Sequence, residues 1–299
     1  MSGKADSAKT IFFALAANFA IFMAKAVAAV MSGSGAMTAE AVHSLADCGN
    51  QCLLLFGMRG AKAPPTPDYP LGRGKEIYFW SFLVALLLFS VGGAFSIYEG
   101  VHKLGAPEPL KWPWIAIGVL AFGIVAESFS MWGCLVEVNK ARGERSLWRW
   151  FRESRQSELI VIFGEDLAAL LGLAFALVAV VTTWVTGNPV FDAIGTLAIG
   201  VLLVVIAVFV AVEVKALLIG QSVDAETKAA ILKFLDERPE IERVFNLITL
   251  QLGADVMVAI KAEMTSGIAI VDAINAVEAA MKLQFPEIRW SFFEPDVAD

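Results

Sequence analysis

Ala39-Glu40-Ala41-Val42-His43-Ser44-Leu45-Ala46-Asp47 opens a mostly apolar stretch that runs on through Leu53-Leu54-Leu55-Phe56 to residue 58. About 20 such residues suffice for a helix to cross a hydrocarbon core roughly 30 Å thick. The stretch therefore predicts a membrane span, and the ionisable groups inside it predict a site, because each is costly to bury in lipid. The rest of the chain has the same character. Of its 299 residues 58% are hydrophobic and 18% charged, and the mean hydropathy is +0.68, whereas soluble domains average about 45–50% apolar and 25% charged. That balance excludes an ordinary soluble enzyme, a disordered chain, collagen and a coiled coil. The net charge of −7 is unevenly spread along the chain and implies no nucleic-acid partner. Cys48, Cys52 and Cys134 lie in apolar stretches without a CxxC pair and read as small buried hydrophobes.

Working outward, six spans are predicted, at residues 10–31, 39–58, 77–98, 112–136, 159–185 and 189–218. Ser32-Gly33-Ser34-Gly35 separates the first two and Gly187-Asn188-Pro189 the last two, so each pair forms a tight helical hairpin. The first segment, preceded by Lys4 and Lys9, is longer than the roughly 7–15-residue core of a signal peptide and reads as a span. Lys4, Lys9, Arg59, Lys62, Arg73, Lys75 and the cluster Lys140, Arg142, Arg145, Arg149, Arg152 and Arg155 fall on one side, against Lys103 and Lys111 on the other. The positive-inside bias then puts both termini in the cytoplasm, and a bacterial inner (plasma) membrane is the expected location.

From residue 219 the composition becomes that of a soluble domain. Asp224 caps a helix to about 236, strands at 244–252 and 256–264 meet at Gly253-Ala254-Asp255, and a helix at 268–283 precedes a strand at 288–293. This αββαβ order predicts a cytosolic ferredoxin-like α+β domain, 219–299, after an α-helical membrane domain, 1–218. A domain of roughly 80 residues gains buried core by dimerising.

The polar groups inside the spans are Asn18 and Lys25, His43 and Asp47, Glu127, and Glu165 and Asp166. An ionisable group there costs at least about 2.5–3.5 kcal/mol on insertion scales, so each marks a candidate site. His43 and Asp47, four apart, share one helix face. Imidazole with carboxylate suits Zn²⁺ and neighbouring divalent ions, and Asp166 is the natural third ligand. Glu165 points about 100° away round the helix and cannot face the same ion equally well. Lys25 is expected as a charge partner of Glu127 or Glu165, the alternative being that it snorkels to an interface. For Glu127 two roles stay open: a buried hydrogen bond to a serine or lysine, or proton coupling.

The stretch 39–47, followed by Asn50-Gln51, resembles the second-span signature of the cation diffusion facilitators. Pro70-Leu71-Gly72-Arg73-Gly74-Lys75-Glu76 with Tyr78-Phe79-Trp80 resembles that family's entry to its third span, and six spans with an αββαβ tail match its layout. Glu165-Asp166 before Leu167-Ala168-Ala169-Leu170-Leu171-Gly172 is similar to the branch that includes the mitochondrial-type zinc transporter of animals. The resemblance implies a homodimeric, lipid-embedded antiporter that exports Zn²⁺ or a similar divalent cation from the cytoplasm in exchange for protons. The metal is then the transported substrate, and no cofactor is implied. The family's site takes two residues from span two and two from span five, here His43 and Asp47 with Ile162 and Asp166. Ile162 cannot ligate a metal, which leaves Glu165 or a water to complete the shell. Phe245, Lys261 and Phe293 stand where the bacterial zinc exporters carry tail ligands, so regulatory metal is not expected there, and Glu294 and Asp296 read as solvated.

The coupling also follows from elementary chemistry. Metal ligands must be deprotonated, so an ion entering a site of neutral His43 and ionised Asp47 and Asp166 displaces protons, and protons displace the ion. Imidazole is suited to that exchange near neutral pH. A membrane-embedded metal hydrolase would need a general base beside substrate space, and no His-Glu-x-x-His occurs in a span. A channel would be lined by rings of carbonyls or charges. The remaining alternative is a membrane scaffold with a vestigial metal site.

Overall fold

The structure is a computed structural model that describes residues 3–267 and 269–298. Of those, the side chains of residues 3–14, 16, 17 and 89 are left out of account. The side chains of Lys4 and Lys9, used above for orientation, and residue 268, placed at the start of the second tail helix, therefore lie outside the described part.

Ten helices and three strands follow in order within the described residues. Helix α1 (Gly3–Ser32) and helix α2 (Gly35–Ala61) are joined by Gly33-Ser34, where Gly33 takes the left-handed φ of 67° that ends a helix cheaply. Helix α3 (Glu76–Leu87), a π-helical turn (Leu88–Ala94) and helix α4 (Phe95–Gly105) continue one another. Then come α5 (Pro113–Arg142), the short α6 (Leu147–Glu153), α7 (Ser157–Thr186) and α8 (Val190–Ile219). The α3–α4 helix, α5, α7 and α8 are the four helices among the described residues long and apolar enough to cross a membrane. Helix α2 has the length, 27 residues, but Glu40, His43, Asp47, Asn50 and Gln51 dilute its apolar character. In α1 the stretch Asn18–Ser32, where the described side chains run continuously, is apolar.

Two features were not legible in the sequence. The π-helical turn carries Gly92 and Gly93, and a Cβ on Gly93 would stand 2.7 Å from Val204 Cγ2 of α8. Gly100 and Gly200 meet Leu197 and Ile97 equally closely, so small residues let the α3–α4 helix and α8 approach nearly backbone to backbone. Helix α6 forms because Ser146 caps it, its hydroxyl accepting from the Arg149 amide at 3.2 Å, and because Trp150 and Phe151 are buried. In the sequence its arginines resemble a loop.

The chain divides into two compact units. One holds residues up to 56, 80–145 and 158–213. Within it Asp192, at the start of α8 and only 2% exposed, accepts from the Ser34 hydroxyl and from the Gly35 amide at 2.6 Å. Lys103 Nζ lies 3.7 Å from the same carboxylate and donates to the Gly33 carbonyl. A carboxylate at the amino end of α2 meets the positive end of its dipole, so one buried acid ties the α1–α2 turn to α4 and α8.

The other unit takes residues 57–79, 146–157 and 214–299. Asp224 Oδ1 accepts from the amides of Glu226 and Thr227 and starts α9 (Ala225–Asp236). Strands β1 (Ile241–Leu252) and β2 (Asp255–Met264) pair antiparallel, and β3 (Ile288–Pro295) joins β2 in parallel after α10 (Ile270–Gln284), giving the order β1-β2-β3. Alternation along β2 sends Val256, Val258 and Ile260 into a core with Ile231, Leu235, Val277 and Met281. The opposite face carries two apolar rows in register, Ile248-Ala259-Phe292 and Leu250-Met257-Trp290. The segments that precede α3 and α7 belong to this unit too. The Gly253 amide donates to the Tyr78 hydroxyl at 2.9 Å, Gly74 lies against the Leu252 carbonyl, and Arg155 Nε donates to the Ser222 carbonyl at 2.7 Å.

Ile231 is fully buried at the centre of that core, so Ile231→Ala should destabilise this unit by about 2–5 kcal/mol. Hydrogen exchange of the β1–β3 amides in the full chain measures it, with unchanged protection contradicting the packing described.

Candidate metal centre

The candidate site is assembled from four helices by helical spacing. On α1, Asn18, Ile21 and Lys25 fall on one stripe, and on α2 Glu40, Ser44, Asp47 and Gln51 form another, with His43 at its edge. Helix α5 presents Glu127 and Ser130 three apart, and α7 presents Glu165, Asp166 and Ala169. These stripes converge on a cavity of about 100 Å³ lined by Asn18, Ile21, Ser44, Asp47, Gln51, Ala126, Glu127, Ser130, Glu165, Asp166 and Ala169. Four carboxylates from three helices therefore face one small space.

His43 is fully buried beside the cavity without lining it. Its Nδ1 stands 3.7 Å from Asp47 Oδ1, too far for a hydrogen bond, and neither ring nitrogen has a hydrogen-bond partner among the described residues. Gly92 of the π-helical turn faces the ring: a Cβ there would lie 4.0 Å from Nδ1. One oxygen of Asp47 and one of Asp166 are likewise buried and unpartnered, while Asp166 Oδ1 accepts from Ser130 Oγ at 3.2 Å. Glu165 accepts from Asn50 Nδ2 at 2.6 Å. Native proteins leave few buried polar groups without partners, so each calls for an explanation, an ordered water or an ion among them.

The expected ligands are thus brought close, but not into a closed shell. Among the described residues no three His, Cys, Asp or Glu side chains stand near enough to hold a metal ion. Asp47, Glu127, Glu165 and Asp166 share the cavity, and His43 lies next to Asp47. Ile162 is 39% exposed and lines no part of it.

Lys25 differs from the expectation. Its ammonium, 1% exposed, pairs with Glu40 at 3.0 Å and donates to Ser44 Oγ at 2.8 Å, rather than pairing with Glu127 or Glu165. The reason is local. Glu40 lies one turn before Ser44 on α2, and both meet Lys25 across the α1–α2 hairpin. Glu40, Asn50, Ser130 and Asp192 join the polar contacts although none stood among the polar groups expected inside the spans. Glu40 was visible as an acid in the same apolar stretch, and Asp192 as an acid just after the Asn188-Pro189 turn.

In the second unit, Lys261 pairs with Asp296 at 3.1 Å. The Val297 amide and that ammonium hold the Asp296 carboxyl below the usual carboxylate range. Phe245, which the resemblance places at a tail-ligand position where a phenyl ring cannot ligate a metal, lies under the Arg243 guanidinium.

Comparison with known proteins settles the family. The cation efflux transmembrane domain model matches residues 11–219. The chain belongs to the cation efflux family. It is 31% identical over 250 residues to the proton-coupled zinc antiporter SLC30A9, mitochondrial, of Homo sapiens, covering 82% of this chain and 44% of that protein. It is 30% identical over 246 residues to metal tolerance protein C4 of Arabidopsis thaliana, covering 80% of this chain and 53% of that one. It is 23% identical over 273 residues to magnetosome protein MamB of Magnetospirillum gryphiswaldense, covering 91% of this chain and 86% of MamB. The chain spans about half the length of the first two relatives. The resemblance to the cation diffusion facilitators, near the branch with the mitochondrial zinc antiporters, is borne out. In such a transporter family the metal is cargo, not cofactor.

Gly172 of α7 lies against the Glu40 carboxylate that Lys25 holds, whereas Gly118 of α5 has nothing within 4 Å of an added Cβ. Gly172→Ala should overpack the site and destabilise the chain by about 1–3 kcal/mol, while Gly118→Ala should stabilise it by up to about 1 kcal/mol. Melting temperatures of the purified variants in detergent decide this, and equal shifts would contradict the contact.

Proposed function

We propose that the chain is a secondary antiporter that exports Zn²⁺, or a similar divalent cation, from the cytoplasm in exchange for protons. The observation that carries this is the cavity where Asp47, Glu127, Glu165 and Asp166 converge beside His43, with buried donor atoms on His43, Asp47 and Asp166 left unpartnered. Uncompensated carboxylates in a membrane helix bundle are retained where they carry protons or ions. His43, Asp47 and Asp166 supply one nitrogen and two oxygen donor groups, a set that suits Zn²⁺. Glu165 completes the shell in place of Ile162, by exchanging its Asn50 hydrogen bond for the ion. Each donor binds either a proton or the metal, and alternating access to such a site couples the two flows. Glu127, contributed by α5 to the cavity lining, takes up protons as the cation leaves.

The proposal gives six spans, α1, α2, α3–α4, α5, α7 and α8, with both termini cytoplasmic in a bacterial inner (plasma) membrane, and a ferredoxin-like tail domain from residue 219. The apolar rows through Ala259 and Met257 support a homodimer formed through that sheet face. The names of two relatives, a proton-coupled zinc antiporter and a metal tolerance protein, support metal transport.

The test is proton-driven uptake of Zn²⁺, Co²⁺, Mn²⁺ and Cd²⁺ into inside-out vesicles bearing wild type or Asp47→Ala. Zn²⁺ should move, require the pH gradient and stop in the variant. Absence of transport of all four ions, or normal transport by Asp47→Ala, would sink the antiporter and leave the scaffold with a vestigial site.

A further inference from the structure

Lys25 is the one buried lysine among the described residues, and its carbon chain and charge both lie inside the helical unit. An ammonium has three donors and no acceptor, and two of its three are committed here: one to Glu40 Oε2 at 3.0 Å, one to Ser44 Oγ at 2.8 Å. Those acceptors are four residues apart on α2, so a single side chain from α1 grips the neighbouring helix at two points one turn apart. His43 lies between them in sequence, adjacent to Ser44, and Asp47 follows Ser44 by three residues. Ser44 itself lines the cavity. The surroundings are shaped for this contact. A Cβ on Gly123 of α5 would lie 3.8 Å from Lys25 Cε, and one on Gly172 of α7 would strike Glu40 Oε1. Glycine at 172 thus leaves room for the Glu40 carboxylate of the ion pair, while α5 comes within ordinary contact of the Lys25 stem at Gly123.

We infer that Lys25 is a positioning residue for the metal centre: held by Glu40 and Ser44, it fixes the rotation of α2 and with it the direction in which His43 and Asp47 present their donors. The inference rests on the proposal that His43 and Asp47 ligate the cation. It differs from charge balance alone. A lysine that merely neutralised Glu40 could be removed together with it at no loss to the site, since replacing a buried pair by apolar residues is often neutral for stability, whereas breaking it by removing one partner is not. Outer groups that orient ligands, by contrast, change metal affinity about 10–100-fold when lost.

The decisive variant is Lys25→Met with Glu40→Met, which leaves no unpaired charge. Zn²⁺ is titrated calorimetrically into the purified full chain in detergent, and the visible spectrum of bound Co²⁺ reports ligand geometry. The double variant should keep the wild-type melting temperature, bind Zn²⁺ about 10-fold more weakly and shift the Co²⁺ spectrum. Ser44→Ala, which keeps the ion pair and removes one of the two grips, should move affinity and spectrum in the same direction by less, and it decides the matter where the double variant does not fold. Wild-type affinity and spectrum in these variants, or a wild-type chain that binds no Zn²⁺, overturn the inference. Weakened binding in the variants of a chain that binds Zn²⁺ but fails to transport it overturns the antiporter and leaves Lys25 in its role.

Discussion

Charge in a low-dielectric interior is the constraint on which the helical unit is built. A lone buried ion is several kcal/mol uphill, so it must find a partner, be neutralised by gaining or losing a proton, or hold a cargo. The chain uses the first solution twice. Lys25 is matched by Glu40 inside the bundle, and Asp192 is matched by Lys103 together with the Ser34 hydroxyl and the Gly35 amide. The first closes the α1–α2 hairpin, the second ties that hairpin to helices distant in sequence. The carboxylates of the cavity are treated differently. Glu165 and Asp166 each receive one neutral hydrogen bond, from Asn50 and Ser130, and no cation is bonded to them among the contacts described. Structural charges are thus paired, and the charges at the centre are left available.

Close approach of helices makes this arrangement possible. Glycine at 93, 100 and 200 lets the α3–α4 helix and α8 nearly touch, and glycine at 172 leaves space for the Glu40 carboxylate of the Lys25–Glu40 pair. The π-helical turn, which widens the helix locally, stands beside His43. π-Bulges recur at functional sites.

The second unit obeys the ordinary rules of soluble proteins. Its core follows from alternation in β2 and amphipathic periodicity in α9 and α10, and it recruits segments 57–79 and 146–157 through polar contacts: the Tyr78 hydroxyl on Gly253 and the Arg155 guanidinium on the Ser222 carbonyl. Both recruited segments lead directly into membrane helices, α3 and α7.

The sequence by itself determined the elements whose signal is local. Long apolar runs, Gly33 and Gly187 at the breaks, Asp224 at the start of α9 and the alternation of β2 are properties of neighbouring residues, and periodicity shows them directly. The candidate carboxylates were legible for the same reason: an acid in an apolar run stands out whatever the fold. Which of them meet was decided only in three dimensions. That Lys25 takes Glu40 rather than Glu127, that Asp192 caps α2, and that His43 stands beside the cavity instead of in its wall depend on helix rotation and crossing. Those are set by the summed packing of many small contacts, to which no single stretch of sequence gives a local signal.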